Sequence, residues 1–209
     1  MLKVFPNEFL YESYVSDQDA DLLESEYKNS ILHHKDFEET NIDFSKLKKC
    51  DYRKSGDLID YSLCEQVLKK YIREFVIEHS IDNRCDYDMY IEFFYNFYSK
   101  PGDYMVAHHH DQTDLSMIYF LTDADAPTSF FPSNFVTHQL SNKLTKLREL
   151  SHRYDVLPEK GKFVIISPNL YHCVSPLENY QERISFVTNI TLNPIKNMDN
   201  NSKNRHYFR

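Results

Sequence analysis

The pattern of apolar and polar positions changes character near residue 87. Before it, apolar residues recur at three- and four-residue spacing. Leu63, Cys64, Val67, Leu68, Tyr71, Ile72, Phe75 and Val76 form one stripe, with Lys69, Lys70, Arg73 and Glu74 opposite. That period predicts an amphipathic helix over about 62–79, packed on a sheet. An earlier helix starts at Ser16, with Asp19 three residues on, and carries Leu22, Leu23, Tyr27 and Ile31 on one face. After residue 87 aromatic and β-branched residues dominate. Residues 88–99 (DMYIEFFYNFYS), 115–122, 162–167 and 183–192 read as strands. Turn signals separate them at Pro101-Gly102, residues 123–127, residues 158–161 and Pro168-Asn169. Strands joined by turns, without regular helices between them, predict a mainly β fold with N-terminal helices, its core an antiparallel sandwich or barrel. Residues 134–153 read as a short helix or flap inserted between strands, and 197–209 as a polar tail.

Composition narrows this picture. Of 209 residues, 41% are hydrophobic and 27% charged, which excludes a disordered chain. The expectation is one domain over 1–196, with 1–87 as mostly helical support and 88–196 as the β core. Lys and Arg number 24 against 32 Asp and Glu, a formal charge of -8. A chain of that sign has no general attraction to nucleic acid or to anionic membranes. No apolar run reaches the ~20 residues of a membrane span. The opening residues do not read as a secretory signal. Four cysteines without a CxxC pair predict reduced thiols and a cytoplasmic setting.

Candidate chemistry sits in the β half. His108, His109, His110 and Asp111 are consecutive, and His172 follows in NLYHCVSP. Residues two apart on a strand share a face, so His109 and Asp111 can converge on one ion. His172, from a distant strand, completes a 2-His-1-carboxylate set. Such a set leaves coordination positions open and suits non-haem Fe(II) beside a bidentate cosubstrate. His108 and His110 are also two apart and supply an HxH pair in the alternative register. The HxD register is preferred because a carboxylate is the usual third ligand.

The order HxD, distal His, then Arg183 opening the last strand resembles the Fe(II)/2-oxoglutarate-dependent dioxygenases. The likeness is greatest to the prolyl-hydroxylase-like branch and its bacterial and phage relatives. It is carried by FYSKPGDYMVAHHHDQTDLSMIYFLTD, by PTSFFP, and by VLPEKGKFVIISPNLYHCVSPLENYQERISF. VFPNEFLYESYVSDQDADLLE resembles the family's opening strand, turn and first helix. The resemblance implies a double-stranded β-helix (jelly-roll, cupin-like) core with helices on one sheet. It implies Fe(II) held by His109, Asp111 and His172, and 2-oxoglutarate as cosubstrate, with ascorbate as an optional reductant. Arg183 would pair with the distal carboxylate of 2-oxoglutarate, Ser185 would add a hydroxyl, and Tyr98 would contact the cosubstrate. A planar guanidinium suits that task because it binds a carboxylate with two parallel hydrogen bonds. Pro127-Thr128-Ser129 stands where the family usually has a glycine pair. In the strand over 115–122, Phe120 is expected to face the cosubstrate and Tyr119 the opposite side.

The implied activity is oxidation, most simply hydroxylation, of a substrate with release of succinate and CO2. The prolyl-hydroxylase likeness favours a protein, peptide or amino-acid substrate, with a small metabolite as the other class. Two rival functions share the fold: an inactive barrel acting as a binding module, and a 2-oxoglutarate-independent cupin-type enzyme using three histidines. Arg183 and Ser185 argue for the oxygenase.

Overall fold

The computed structural model describes residues 1–5, 8–31, 48–49, 51–54, 61–79, 87–110, 112–131, 153–179 and 182–194. Residues 134–152 of the expected flap and the tail, with Asp111, Cys50 and Cys85, lie outside the described residues. In chain order the elements are β1 (Leu2–Phe5), β2 (Glu8–Tyr14), α1 (Asp17–Glu26), a π-helical turn (Tyr27–Ile31), β3 (Lys48–Lys49), β4 (Asp51–Lys54) and α2 (Ser62–His79). Then follow β5 (Tyr87–Tyr98), β6 (Tyr104–His108), β7 (Leu115–Phe120), β8 (Thr128–Phe131), β9 (Tyr154–Val156), β10 (Lys162–Ile166), β11 (Tyr171–Val174) and β12 (Arg183–Pro194).

The strands form two antiparallel sheets. The larger has the order β1-β2-β10-β7-β12-β5-β4, and the smaller β3-β6-β11-β8-β9. The expected β core with helices on one sheet is therefore present. Residues 1–87 depart from the expectation by contributing β1 to β4 as well as both helices. Strand alternation splits the apolar residues into two cores. Met117 and Tyr119 of β7, with Phe163 and Ile165 of β10, face α2 and its buried Leu68, Ile72 and Phe75. Ile118, Phe120, Val164 and Ile166, from the same strands, lie in the second cluster with Phe130 of β8. Strands buried on both faces read as continuous apolar runs, which is why these segments were legible as strands.

Local chemistry fixes the supports. Ser16 caps α1, its Oγ accepting from Asp19 N at 3.2 Å, while its own N–H donates to Tyr71 Oη of α2 at 2.8 Å. Tyr71 Oη also donates to Asp19, so one tyrosine ties the start of α1 to α2. Leu22 was expected on the buried face of this helix but is 40% exposed, whereas Leu23 is fully buried. At 100° per residue two adjacent positions cannot both sit at the centre of one face.

Two glycines end turns with positive φ. Gly102 (φ 82) follows Pro101 in a turn closed by Asp103 N to Lys100 O at 3.0 Å, the pattern of a type II turn. The Asp103 carboxylate accepts from Ser99 and Lys100 N–H, pinning the return from β5 into β6. Gly161 (φ 84) leads into β10, and Val15 N bonds its carbonyl at 2.9 Å. A Cβ there would meet Ala20 Cβ at 3.6 Å, an ordinary contact, so the constraint is the backbone. Gly161→Ala is expected to lower stability by about 1–2 kcal/mol, the cost of a left-handed L-residue. Urea denaturation checks this, and an unchanged midpoint contradicts it.

Candidate metal and cosubstrate site

The site grows from one strand pairing. β11 pairs with β6 so that His172 stands opposite His108, while Val174 stands opposite Met105. Val106 and Ala107 of β6 therefore stand against the single Cys173 of β11, a bulge of the kind that re-aims side chains. Directly paired residues share a face, so the rings of His108 and His172 meet with centroids 4.3 Å apart. His110 reaches the same place just beyond β6, its backbone N–H donating to Pro168 O at 3.0 Å. Its ring lies parallel to that of His172, with Nε2 to Nε2 at 3.2 Å. One nitrogen from each of His108, His110 and His172 lies within 4.8 Å of the others.

The remaining expected ligands behave differently. His109 lines the same cavity but is not among the converging nitrogens, and its ring packs on Tyr171 with centroids 4.7 Å apart. Asp111, outside the described residues, has no position to report. Among the described residues the structure thus gathers the HxH pair with His172, and does not gather His109 with it.

Hydrogen bonding prepares these imidazoles as donors. His108 Nδ1 lies 2.9 Å from Val106 O and His172 Nδ1 lies 3.0 Å from Leu170 O. A carbonyl only accepts, so each Nδ1 carries the proton and each Nε2 keeps its lone pair. Burial, then the neighbouring His108, lowers the pKa of His110 to about 4. Burial, then His108 and His110, holds His172 well below the ordinary histidine range. Imidazole nitrogens converging at this spacing gain from a shared cation. This donor set fits Fe(II).

A cavity of about 470 Å³ opens between the sheets beside the cluster. His108, His110, His172 and Asn189 line one part of it, and Arg183, Ser185, Tyr98 and Thr128 another. Arg183 is 1% exposed. Its Nε donates to Ala126 O at 3.1 Å and its Nη2 to Thr128 Oγ1 at 2.6 Å. The guanidinium sits 4.8 Å from the Tyr98 ring centroid and 5.6 Å from that of Phe120. Phe120 faces this side and Tyr119 the helical core, as expected. Tyr98 is opposite Arg183 in the β5–β12 register, and Asn96 is opposite Ser185. Asn96 is buried and lines the cavity, and its Oδ1 has no hydrogen-bond partner. A buried guanidinium beside hydroxyls at one end, and three converging imidazoles able to hold a cation at the other, suit a keto-diacid such as 2-oxoglutarate.

Two contributors escaped the sequence reading. Thr128 occupies the missing glycine pair and supplies a hydroxyl to Arg183. Asn189 lies on the same β12 face as Arg183 and Ser185. The recurring polar residue at every second or fourth position of that strand, against apolar Ile184, Phe186 and Ile190, was the available signal.

The family model described as "Putative 2OG-Fe(II) oxygenase" matches residues 94–189. No curated protein matches the chain. Solved structures share the fold at low identity. A Pseudomonas putida prolyl-4-hydroxylase aligns with TM-score 0.59 and 15% identity over 87% of this chain and 91% of that one. A Trichoplax adhaerens prolyl hydroxylase, solved with a peptide fragment of the hypoxia inducible factor, aligns with TM-score 0.62 and 9% identity over 88% and 83%. The 2-oxoglutarate-dependent epimerase SnoN of nogalamycin biosynthesis aligns with TM-score 0.62 and 10% identity over 87% and 76%. No described helix is long and apolar enough to cross a membrane. Residues 94–189, which hold the histidine cluster and the buried arginine, match the model of the Fe(II)- and 2-oxoglutarate-dependent oxygenases, and the chain shares the fold of prolyl hydroxylases.

Proposed function

We propose that the protein is a hydroxylase whose iron is held by His108, His110 and His172. The carrying observation is the meeting of these three side chains through the His108–His172 pairing. When bound there, Fe(II) and 2-oxoglutarate would supply oxidation by O2 coupled to decarboxylation of the cosubstrate to succinate. The chain's own residues do the rest. The backbone carbonyls of Val106 and Leu170 hold two Nδ1 protons, so that Nε2 faces the ion. Arg183, with Thr128 and Ser185 beside it, takes the distal carboxylate and sets the direction of the cosubstrate. Tyr98 and Phe120 wall the guanidinium from water, which strengthens its grip on an anion. Phe94, Ile118 and Val187 give the cavity apolar walls that keep water from the reacting atoms. A peptide or amino-acid substrate is favoured by the likeness to prolyl hydroxylases. An all-histidine donor set also serves metalloenzymes without 2-oxoglutarate, and the buried Arg183 lining the same cavity decides against that use.

The register is tested by separate variants. Under anaerobic conditions Fe(II) plus 2-oxoglutarate should give a visible charge-transfer absorption in the wild-type chain. His110→Ala should lose it and bind Fe(II) more than about 100-fold more weakly, beyond the roughly 10–100-fold lost with an outer partner. Asp111→Ala should retain both. The reverse pattern assigns the iron to His109 and Asp111. Succinate release in step with a hydroxylated product separates hydroxylation from epimerisation or cyclisation.

A further inference from the structure

The pairing of β7 with β12 is clamped at both ends by a side chain that stands in for a backbone carbonyl. At one end Leu121 N–H donates to Ile184 O at 3.0 Å, and Ile184 N–H donates to Thr122 Oγ1 at 3.0 Å. At the other end, four residues after His110, Asp114 N–H donates to Ile190 O at 2.8 Å. Leu192 N–H donates to Asp114 Oδ2 at 2.7 Å. Leu115 stands opposite Ile190, so an unbroken ladder would set Thr113 opposite Leu192 and give that N–H to the Thr113 carbonyl. The Asp114 carboxylate takes it instead. A carboxylate is a strong acceptor for a backbone donor, and its use here frees the main chain to leave β12 at Asp114.

The departing chain turns at once. Gln112 has φ 66, a left-handed conformation that costs energy for a residue with a Cβ. Such a residue persists where contacts on either side determine it. On one side is the Asp114 clamp. On the other is His110, whose N–H donates to Pro168 O at 3.0 Å and whose ring lies parallel to that of His172. His108 and His172 sit within the β6–β11 pairing, whereas His110 lies past the end of β6. We infer that Asp114 is a positioning residue, whose clamp on Leu192 fixes the strained turn that holds His110 against His108 and His172. The inference rests on the proposed reading of His110 as an iron ligand.

Co(II) titration of the full chain tests it, read by affinity and visible ligand-field absorption, with melting of the metal-free proteins alongside. Asp114→Ala should weaken Co(II) binding by about 10–100-fold and alter the absorption. Asp114→Asn keeps an oxygen acceptor and should recover most of the affinity. Thr122→Val removes the equivalent clamp at the far end of β7. It should lower the melting temperature about as much as Asp114→Ala does, and leave Co(II) affinity and absorption as in wild type. Wild-type affinity and absorption in Asp114→Ala overturns the inference. So does a loss of affinity in Thr122→Val as large as in Asp114→Ala, or an Asp114→Asn protein no better than Asp114→Ala. A wild-type chain that takes up no Co(II) overturns the metal-site reading first, and the inference with it.

Discussion

His172→Ala is expected to abolish iron retention and succinate formation while leaving the β core folded. His172 is common to both readings of the metal register, so the result does not depend on which pair from the His108–Asp111 run completes the set. It is 3% exposed, and its ring contacts His108, His110 and Phe130. Removing it deletes a ligand from the middle of the cluster, where no other described donor can replace it without moving β11 against β6. The loss in Fe(II) affinity should exceed about 100-fold, the upper cost of losing only an outer partner of a ligand. The stability cost of the metal-free protein is much milder. The alanine leaves a small void but also relieves His108 and His110 of a crowded, poorly solvated neighbour, so a change of about 1–2 kcal/mol in either direction is expected. Iron content by chelator assay, succinate release and circular dichroism measure the three quantities. His109→Ala is the internal control. Its ring packs on Tyr171 rather than in the cluster, so iron should be retained. A folded His172→Ala protein with wild-type iron stoichiometry would remove the basis for a metal centre here.

How far the sequence leads is seen most clearly at these histidines. The long elements were legible because burial imposes a period on them. The stripe of α2 and the apolar runs of β5, β7, β10 and β12 appear nearly where they were expected. The short strands β6, β8, β9 and β11 were not. Each has three to five residues, too few to establish a period, and β6 is only partly buried along its length. The sequence leaves the metal register open for a related reason. Alternation says that residues two apart share a face, and this is equally true of His108 with His110 and of His109 with Asp111. What separates the pairs is which residue of β6 stands opposite His172. A long-range pairing and a bulge decide that, and neither leaves a trace in the local pattern. Arg183 was singled out by the resemblance, from its place at the start of the last strand. A guanidinium in the first position of an apolar strand needs oxygen partners, and the fold provides Ala126 O and Thr128 Oγ1. Thr128 itself was hidden, since a threonine in a turn-rich segment looks like any surface position.

Arg183→Met should separate the two halves of the site, because it removes the anion anchor and leaves the histidines untouched. Methionine keeps much of the apolar stem between Tyr98 and Phe120, so packing is largely conserved. Ala126 O and Thr128 Oγ1 lose their donor, at about 1–3 kcal/mol for each group left buried and unsatisfied. Against this, the fold no longer desolvates a guanidinium, and replacing a buried charge by an apolar side chain is often neutral. The variant should therefore fold and bind Fe(II) as wild type does. Its affinity for 2-oxoglutarate should fall steeply. Two charge-assisted hydrogen bonds at about 1.5–3 kcal/mol each correspond to a loss of at least about 100-fold. Arg183→Lys should recover only part of this, since a point charge on a flexible stem cannot reproduce the planar fork. The measurements are calorimetric titration of 2-oxoglutarate into the Mn(II)-loaded proteins and the KM for 2-oxoglutarate in succinate release. In His172→Ala the pattern inverts: the metal is lost, while Arg183 still offers its grip on the distal carboxylate, so weak metal-independent binding of the diacid survives. Saturation of Arg183→Met at wild-type concentrations of 2-oxoglutarate would show that the guanidinium is a structural strut between two aromatic rings and that the cosubstrate is anchored elsewhere in the cavity.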